Sequence, residues 1–126
     1  MKLAFIVGLG SFLGGSLRFL LSTFIHQKAS SDFPYGTLAV NLVGCFIIGC
    51  LMGLSARWEL STEWKLFLAT GILGGFTTFS AFASESSNLF KTGHTAIALT
   101  YIAGSVVLGI CFAFLGAWLF RVEAGV

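Results

Sequence analysis

Four long apolar runs, separated by short polar stretches, set the pattern of this chain. The runs cover about residues 3–25, 37–56, 64–90 and 95–120. Each run is long enough for an α-helix to cross a hydrocarbon core, which takes roughly 20 apolar residues. A chain of 126 residues has room for these crossings and for little else. The pattern therefore predicts one all-α membrane domain, residues 1–126, with four transmembrane helices.

The composition indicates that lipid, not water, is the main solvent of this chain. Hydrophobic residues make up 56% of it and charged residues 10%, whereas soluble domains carry about 25% charged residues. The net charge of +2 is too small and too scattered for a nucleic-acid partner. His26 and His94 lie singly in polar loops, and Cys45, Cys50 and Cys111 lie in apolar runs, where we expect them to pack as small hydrophobes. We therefore predict neither an enzyme nor a nucleic-acid-binding protein.

The basic residues give almost no preference for one orientation in the membrane. Four helices put the two termini and the second loop on one side. The basic residues of that side are Lys2, Arg57, Lys65 and Arg121, and those on or toward the other side are Arg18, Lys28 and Lys91. A difference of four charges against three is one possible basis for a single fixed topology. The alternative is that the chain inserts in both orientations, so that two opposite copies pair about an axis in the membrane plane. Four helices are few for enclosing a hydrophilic path, so transport would favour an oligomer.

Glycines, hydroxyls and aromatic rings interrupt the third apolar run between Thr70 and Phe82. Each glycine costs a helix about 1 kcal/mol relative to alanine. Irregular backbone at membrane depth is tolerated where protein surrounds it, so we predict a buried break in the third helix from Gly74 to Thr78. The alternative is that the glycines only allow close helix packing. A break would offer carbonyls to a cation and the N–H groups of a new half-helix to an anion.

Phe79 and Phe82 follow this predicted break at a spacing of three residues, which places them on one helical face. The edge of a phenylalanine ring is electropositive, so the pair is suited to a small anion. Ordinary core or lipid-facing packing is the alternative.

Three further polar residues lie within the apolar runs, where such groups are costly and often functional. Asn41 is suited equally to an anion path and to hydrogen bonding between helices. Arg18 would attract anions to one mouth, or extend its side chain to the membrane surface. For Glu85 we expect a structural role, hydrogen-bonded or paired with an arginine, because an ionised carboxylate would repel an anion.

Three motifs in order resemble those of the Fluc (CrcB) family of fluoride channels. They are Gly-Gly-x-x-Arg in the first run, Gly-Thr-Leu-x-x-Asn-Leu-x-Gly in the second and Gly-Gly-x-Thr-Thr-Phe-Ser-x-Phe in the third. The likeness extends over essentially the whole chain. It implies an antiparallel, dual-topology homodimer in a bacterial inner membrane, with two fluoride pores that use residues from both subunits. The implied partners are fluoride, a second copy of the chain and the lipid bilayer.

The resemblance also implies roles for individual residues. Phe79 and Phe82 match the paired rings that contact fluoride, and Asn41 matches the pore asparagine. Gly74 and Thr77 match the residues whose backbone carbonyls, two from each subunit, hold a structural sodium ion at the dimer centre.

Other positions match the polar lining of the family's pore. Thr78 and Ser80 correspond to hydroxyls beside the rings, and Arg18 to the vestibule arginine. Tyr101 and Ser105 are similar to a polar track on the fourth span. The chain departs from some relatives at the next position of this track, where it has Gly109 and no hydroxyl.

The function implied is passive export of fluoride, which would lower its toxicity in the cytoplasm. Two other functions stay open. A small dual-topology multidrug exporter would need a carboxylate in its first span, and this first span has none. A non-transporting membrane assembly subunit can be excluded only by a functional assay.

Overall fold

The structure, a computed structural model, describes residues 1–55 and 60–121, and all regular elements within these ranges are helical. Four stretches are long and apolar enough to cross a membrane, which confirms the prediction of four such helices: Lys2–Ala29, Tyr35–Leu54, Thr62–Lys91 and Thr95–Leu119. The elements in chain order are α1 (Lys2–Ala29), α2 (Tyr35–Leu54), α3 (Thr62–Lys65), a π-helical segment (Leu66–Leu73), α4 (Gly74–Phe76), α5 (Phe79–Lys91) and α6 (Thr95–Leu119).

The helix ends differ from the ends of the apolar runs by a few residues. α1 continues to Ala29, past the predicted end near Ile25, because glutamine, lysine and alanine favour helix even where they leave the apolar core. It ends at Ser30, whose φ of 39° is left-handed. The predicted end of the second span at Ala56, with Arg57 and Trp58 after it, lies outside the described residues.

Glycines bring α1 into backbone contact with the first part of the third span. A Cβ added at Gly10 would lie 2.6 Å from the carbonyl oxygen of Phe67, and one at Gly14 would overlap the carbonyl oxygen of Ile72. On the other side, a Cβ at Gly75 would lie 2.5 Å from the carbonyl oxygen of Ser11. Small residues allow this approach, and dispersion contacts between the backbones hold the two elements together in lipid.

Glycines also bring α2 and α6 into backbone contact. A side chain at Gly49 would overlap the backbone of Ala113, and one at Gly116 would overlap that of Phe46. The last part of the third span, α5, packs against α6 around Leu89, Ala98 and Tyr101, which are all buried. The third span is therefore supported by α1 before residue 77 and by α6 after residue 78.

Large apolar side chains cover the outside of the bundle. They include Phe5, Phe12, Phe19 and Phe114, all of them exposed. In water so many exposed rings would be a liability, whereas in a bilayer they face hydrocarbon tails. Trp64 and Trp118 are also exposed near helix ends, where an indole ring suits the headgroup region.

Candidate functional site

The third span is not helical at two consecutive residues. α4 ends at Phe76, Thr77 (φ −83°, ψ 155°) and Thr78 (φ −148°, ψ 118°) are extended, and α5 begins at Phe79. The sequence placed the interruption at Gly74 to Thr78, but the structure keeps Gly74–Phe76 helical. Glycine weakens a helix without forbidding it, whereas the two β-branched threonines favour extended backbone.

Asn41 on α2 forms hydrogen bonds with backbone groups of Thr78 that the interruption leaves without helical partners. Its Nδ2 donates to the Thr78 carbonyl oxygen at 3.1 Å, and the Thr78 N–H donates to its Oδ1 at 2.8 Å. The Thr78 hydroxyl caps α5 by accepting from the Ala81 N–H at 3.2 Å. Of the two roles the sequence left open for Asn41, bonding between helices is present here. Its second amide N–H is still available to another acceptor.

Arg18 meets the same region from α1. Its Nε donates to the Gly75 carbonyl oxygen at 3.1 Å, close to the end of α4. A cation there satisfies one of the last carbonyls of a helix and matches its negative end. The structure therefore places Arg18 at the contact between α1 and α4, and not beside the phenylalanine pair.

An open groove of about 420 Å³ lies beside the interruption. Seven of the ten residues predicted for the site line it together: Asn41, Gly74, Thr77, Thr78, Phe79, Phe82 and Ser105. Cys45, which was expected only to pack as a small hydrophobe, lines it too. The hydroxyl oxygen of Ser105 is buried and has no hydrogen-bond partner within the part of the chain that the structure describes. An unpaired buried hydroxyl is rare and calls for an explanation such as a bound water or ion.

The two predicted rings form a pair at this groove. The centroids of Phe79 and Phe82 are 5.5 Å apart, with their planes inclined at 45°. Phe79 is 78% exposed in the single chain. Phe82 is partly buried and packs against the ring of Tyr101, at 5.2 Å between centroids.

Tyr101 and Ser80 lie outside the groove. Tyr101 is 0% exposed and donates its hydroxyl to Glu85 Oε2 at 2.7 Å, while Thr37 donates to Glu85 Oε1 at 2.6 Å. We expected Glu85 to be either hydrogen-bonded or paired with an arginine, and the structure shows the hydrogen-bonded arrangement. Ser80 is exposed and shares a hydrogen bond of 3.3 Å with the Thr78 hydroxyl. Thr37 was missed, although it stands in the Gly-Thr-Leu motif of the second run.

Glu85 also borders a second, more polar cavity of about 540 Å³. Thr37, His26 and Asp32 contribute to its lining. Since Phe82 faces the groove and Glu85 faces this cavity, the buried side chain of Tyr101 connects the linings of the two spaces. The Tyr101 hydroxyl, the Glu85 carboxylate and the Thr37 hydroxyl therefore form a row of polar groups that leads from the groove to the cavity beside the last turns of α1.

The apolar surface and the four long helices, with the groove beside the interrupted third span, define a multi-pass membrane protein. Its sequence matches, over residues 5–117, the profile of the family described as CrcB-like protein, Camphor Resistance (CrcB), and the chain belongs to that family. Similar proteins include the fluoride-specific ion channel FluC of Phocaeicola vulgatus, 44% identical over 94% of this chain and 98% of the relative. The protein of the same name from Agrobacterium fabrum is 44% identical over 92% and 94%, respectively. That from Thermus thermophilus is 45% identical over 88% and 87%.

Proposed function

We propose that this chain forms a fluoride-selective channel and not an enzyme. The observation that supports it best is the groove lined both by the Phe79 and Phe82 pair and by Ser105, whose buried hydroxyl has no hydrogen-bond partner among the described residues. The relatives named as fluoride-specific channels are 44–45% identical to it along most of its length.

The groups at the groove suit a small anion that is strongly hydrated in water. The Ser105 hydroxyl, the second amide hydrogen of Asn41 and the electropositive ring edges of Phe79 and Phe82 can replace water molecules around fluoride. None of these groups carries a fixed positive charge. Several weak sites in series let an ion enter and also leave, so this lining favours conduction over retention.

The proposed assembly is a homodimer of two antiparallel copies with two pores. Phe79 is 78% exposed in one chain, and Gly74 is exposed as well. A second copy would cover both residues and close the open side of the groove. The near balance of positive charge between the two sides supports insertion in both orientations. In this arrangement the interruption at Thr77 and Thr78 would lie deep in the hydrocarbon region, surrounded by protein.

A structural sodium ion would fit the carbonyl groups near the dimer axis. Carbonyl oxygens are hard donors of the kind that bind such cations, and Gly74 and Thr77 both line the groove. Within the described residues, the Thr77 carbonyl oxygen receives no hydrogen bond. These two residues of each subunit would hold the ion, which would neutralise backbone dipoles that the interruption leaves unpaired.

Fluoride would move passively through the pores, driven by the negative potential inside the cell. The proposed location is the bacterial inner membrane, and the benefit to the cell is a lower concentration of fluoride in the cytoplasm. Transport of this kind needs neither a nucleotide nor a covalent intermediate.

Efflux from liposomes separates this function from the two others. Purified protein is reconstituted into vesicles loaded with potassium fluoride or potassium chloride, and valinomycin starts the efflux. Rapid fluoride release without chloride release supports the channel. Slow, pH-driven drug exchange would instead indicate an exporter, and no flux at all would indicate an assembly subunit.

The sodium ion is tested separately. Vesicles dialysed into N-methylglucamine salts should lose most fluoride efflux, and added sodium should restore it, while added N-methylglucamine should not. Full efflux without sodium would contradict the assignment to Gly74 and Thr77 and leave the fluoride pathway itself intact.

A further inference from the structure

The fourth span has a gap in its row of polar side chains. Tyr101, Ser105 and Gly109 follow each other at intervals of four residues, so they share one face of α6. The first two carry hydroxyls and the third carries no side chain. A Cβ added at Gly109 would lie 3.5 Å from the Cys45 sulfur, and among the described residues no other atom outside its own helix would come within 4 Å. The thiol of Cys45 therefore lies against the place that a side chain at position 109 would fill.

Cys45 also belongs to the groove. It follows Asn41 by four residues on α2, which puts the two side chains on one helical face. Both of them line the groove together with Ser105, whose buried hydroxyl oxygen has no partner in residues 1–55 and 60–121. The thiol thus extends the polar groups of the groove one step beyond Ser105.

The other two cysteines provide natural controls. Cys50 packs against Gly116, where its sulfur lies 3.2 Å from the position of an added Cβ. Cys111 is exposed on α6. Neither residue lines the groove.

We propose that the Cys45 thiol is part of the fluoride pathway and replaces the hydroxyl that position 109 lacks. This inference rests on the proposed channel function. A thiol is a weak hydrogen-bond donor, so it can contact a passing anion without holding it. It also makes this pathway reactive toward small electrophiles, which a serine hydroxyl at the same place would not be.

Substitution tests the donor. Replacement Cys45→Ala should lower the rate of fluoride efflux roughly threefold to tenfold, as expected for the loss of one weak to moderate hydrogen bond. Cys45→Ser should retain the rate. The double variant Cys45→Ala with Gly109→Ser should recover it, because the smaller alanine leaves room for the new hydroxyl. An unchanged rate in Cys45→Ala would overturn the proposal. So would a low rate in Cys45→Ser together with a low rate in the double variant.

Chemical modification tests whether the Cys45 thiol lies in the fluoride pathway, and it can be applied to the channel without a substitution. Methyl methanethiosulfonate reacts with a cysteine thiolate to form a methyl disulfide, releasing methanesulfinate, and the thiol proton passes to water. Treatment should reduce fluoride efflux of the unmodified channel, of Cys50→Ala and of Cys111→Ala, but not of Cys45→Ala. High fluoride should slow the modification of Cys45, measured by mass spectrometry, and equal chloride should not.

Two outcomes would count against the inference in different ways. If the unmodified channel conducts fluoride selectively but the reagent blocks Cys45→Ala equally well, or fluoride gives no protection, Cys45 is outside the pathway. If the unmodified protein conducts no fluoride, the channel function fails and the role of Cys45 fails with it.

Discussion

Replacing Asn41 with alanine would remove both hydrogen bonds that hold the extended backbone of Thr78. A neutral hydrogen bond contributes about 0.5–1.5 kcal/mol net, so the pair is worth about 1–3 kcal/mol. Bonds between helices in membranes average about 0.6 kcal/mol, so two of them come to about 1.2 kcal/mol, which lies near the lower end of this range. We therefore expect the free energy of unfolding to fall by about 1–3 kcal/mol, and fluoride efflux to fall with it because the backbone beside the groove is no longer held in place.

The assay measures two quantities on the same preparation. Fluoride efflux from liposomes reports conduction, and thermal unfolding of the detergent-solubilised protein reports stability. Both should fall in Asn41→Ala. Thr100→Ala is the matched control, because Thr100 is exposed and its hydroxyl bonds to the Ala96 carbonyl oxygen of its own helix. An unchanged unfolding midpoint would refute the reasoning, since the two bonds to the Thr78 backbone would then contribute nothing to stability. A loss of efflux alone would reflect only the second amide hydrogen, which we propose to contact fluoride.

The remaining predictions concern the rings, the helix contacts and the buried carboxylate. Phe82→Ile should reduce fluoride efflux while size-exclusion chromatography shows an intact dimer; equal efflux would mean that the ring edge is dispensable. Gly14→Val should prevent accumulation of folded protein in membranes because its side chain would overlap the third span, whereas Gly8→Val, with open space around it, should accumulate normally. Tyr101→Phe leaves one oxygen of Glu85 without its donor and should lower the thermal unfolding midpoint, at a cost of about 1–3 kcal/mol; an unchanged midpoint would contradict this.

Much of the fold followed from hydropathy alone, because the need to satisfy every backbone group in lipid leaves helices as the default for long apolar runs. The helix ends were less certain. α1 runs past Ile25 to Ala29 since the end of an apolar run does not terminate hydrogen bonding along the backbone. The glycine contacts between α1 and the third span were expected only in general terms, as spacing does not say which helices meet.

For the site, too, the sequence indicated which residues matter but not which partners they contact. Helical spacing was enough to pair Phe79 with Phe82. The motifs pointed to Asn41 and Thr78, and the likeness to the family's polar track on the fourth span pointed to Ser105. Spacing could not tell that the Asn41 amide bonds to the Thr78 backbone, because that depends on the approach of α2 to the third span. For the same reason Thr37 and Cys45 were passed over: each gains its significance from a neighbour more than 45 positions away in the chain.

The third span rests on different neighbours before and after Thr77 and Thr78, with α1 on one part and α6 on the other. Genetic selection for fluoride resistance would then sort compensating mutations into two groups. Suppressors of damage in α1 should fall within residues 62–76, and suppressors of damage at the buried tyrosine of α6 within residues 79–91. Evolution would be free to tune the two halves of this span separately, so long as the two extended threonines between them were kept.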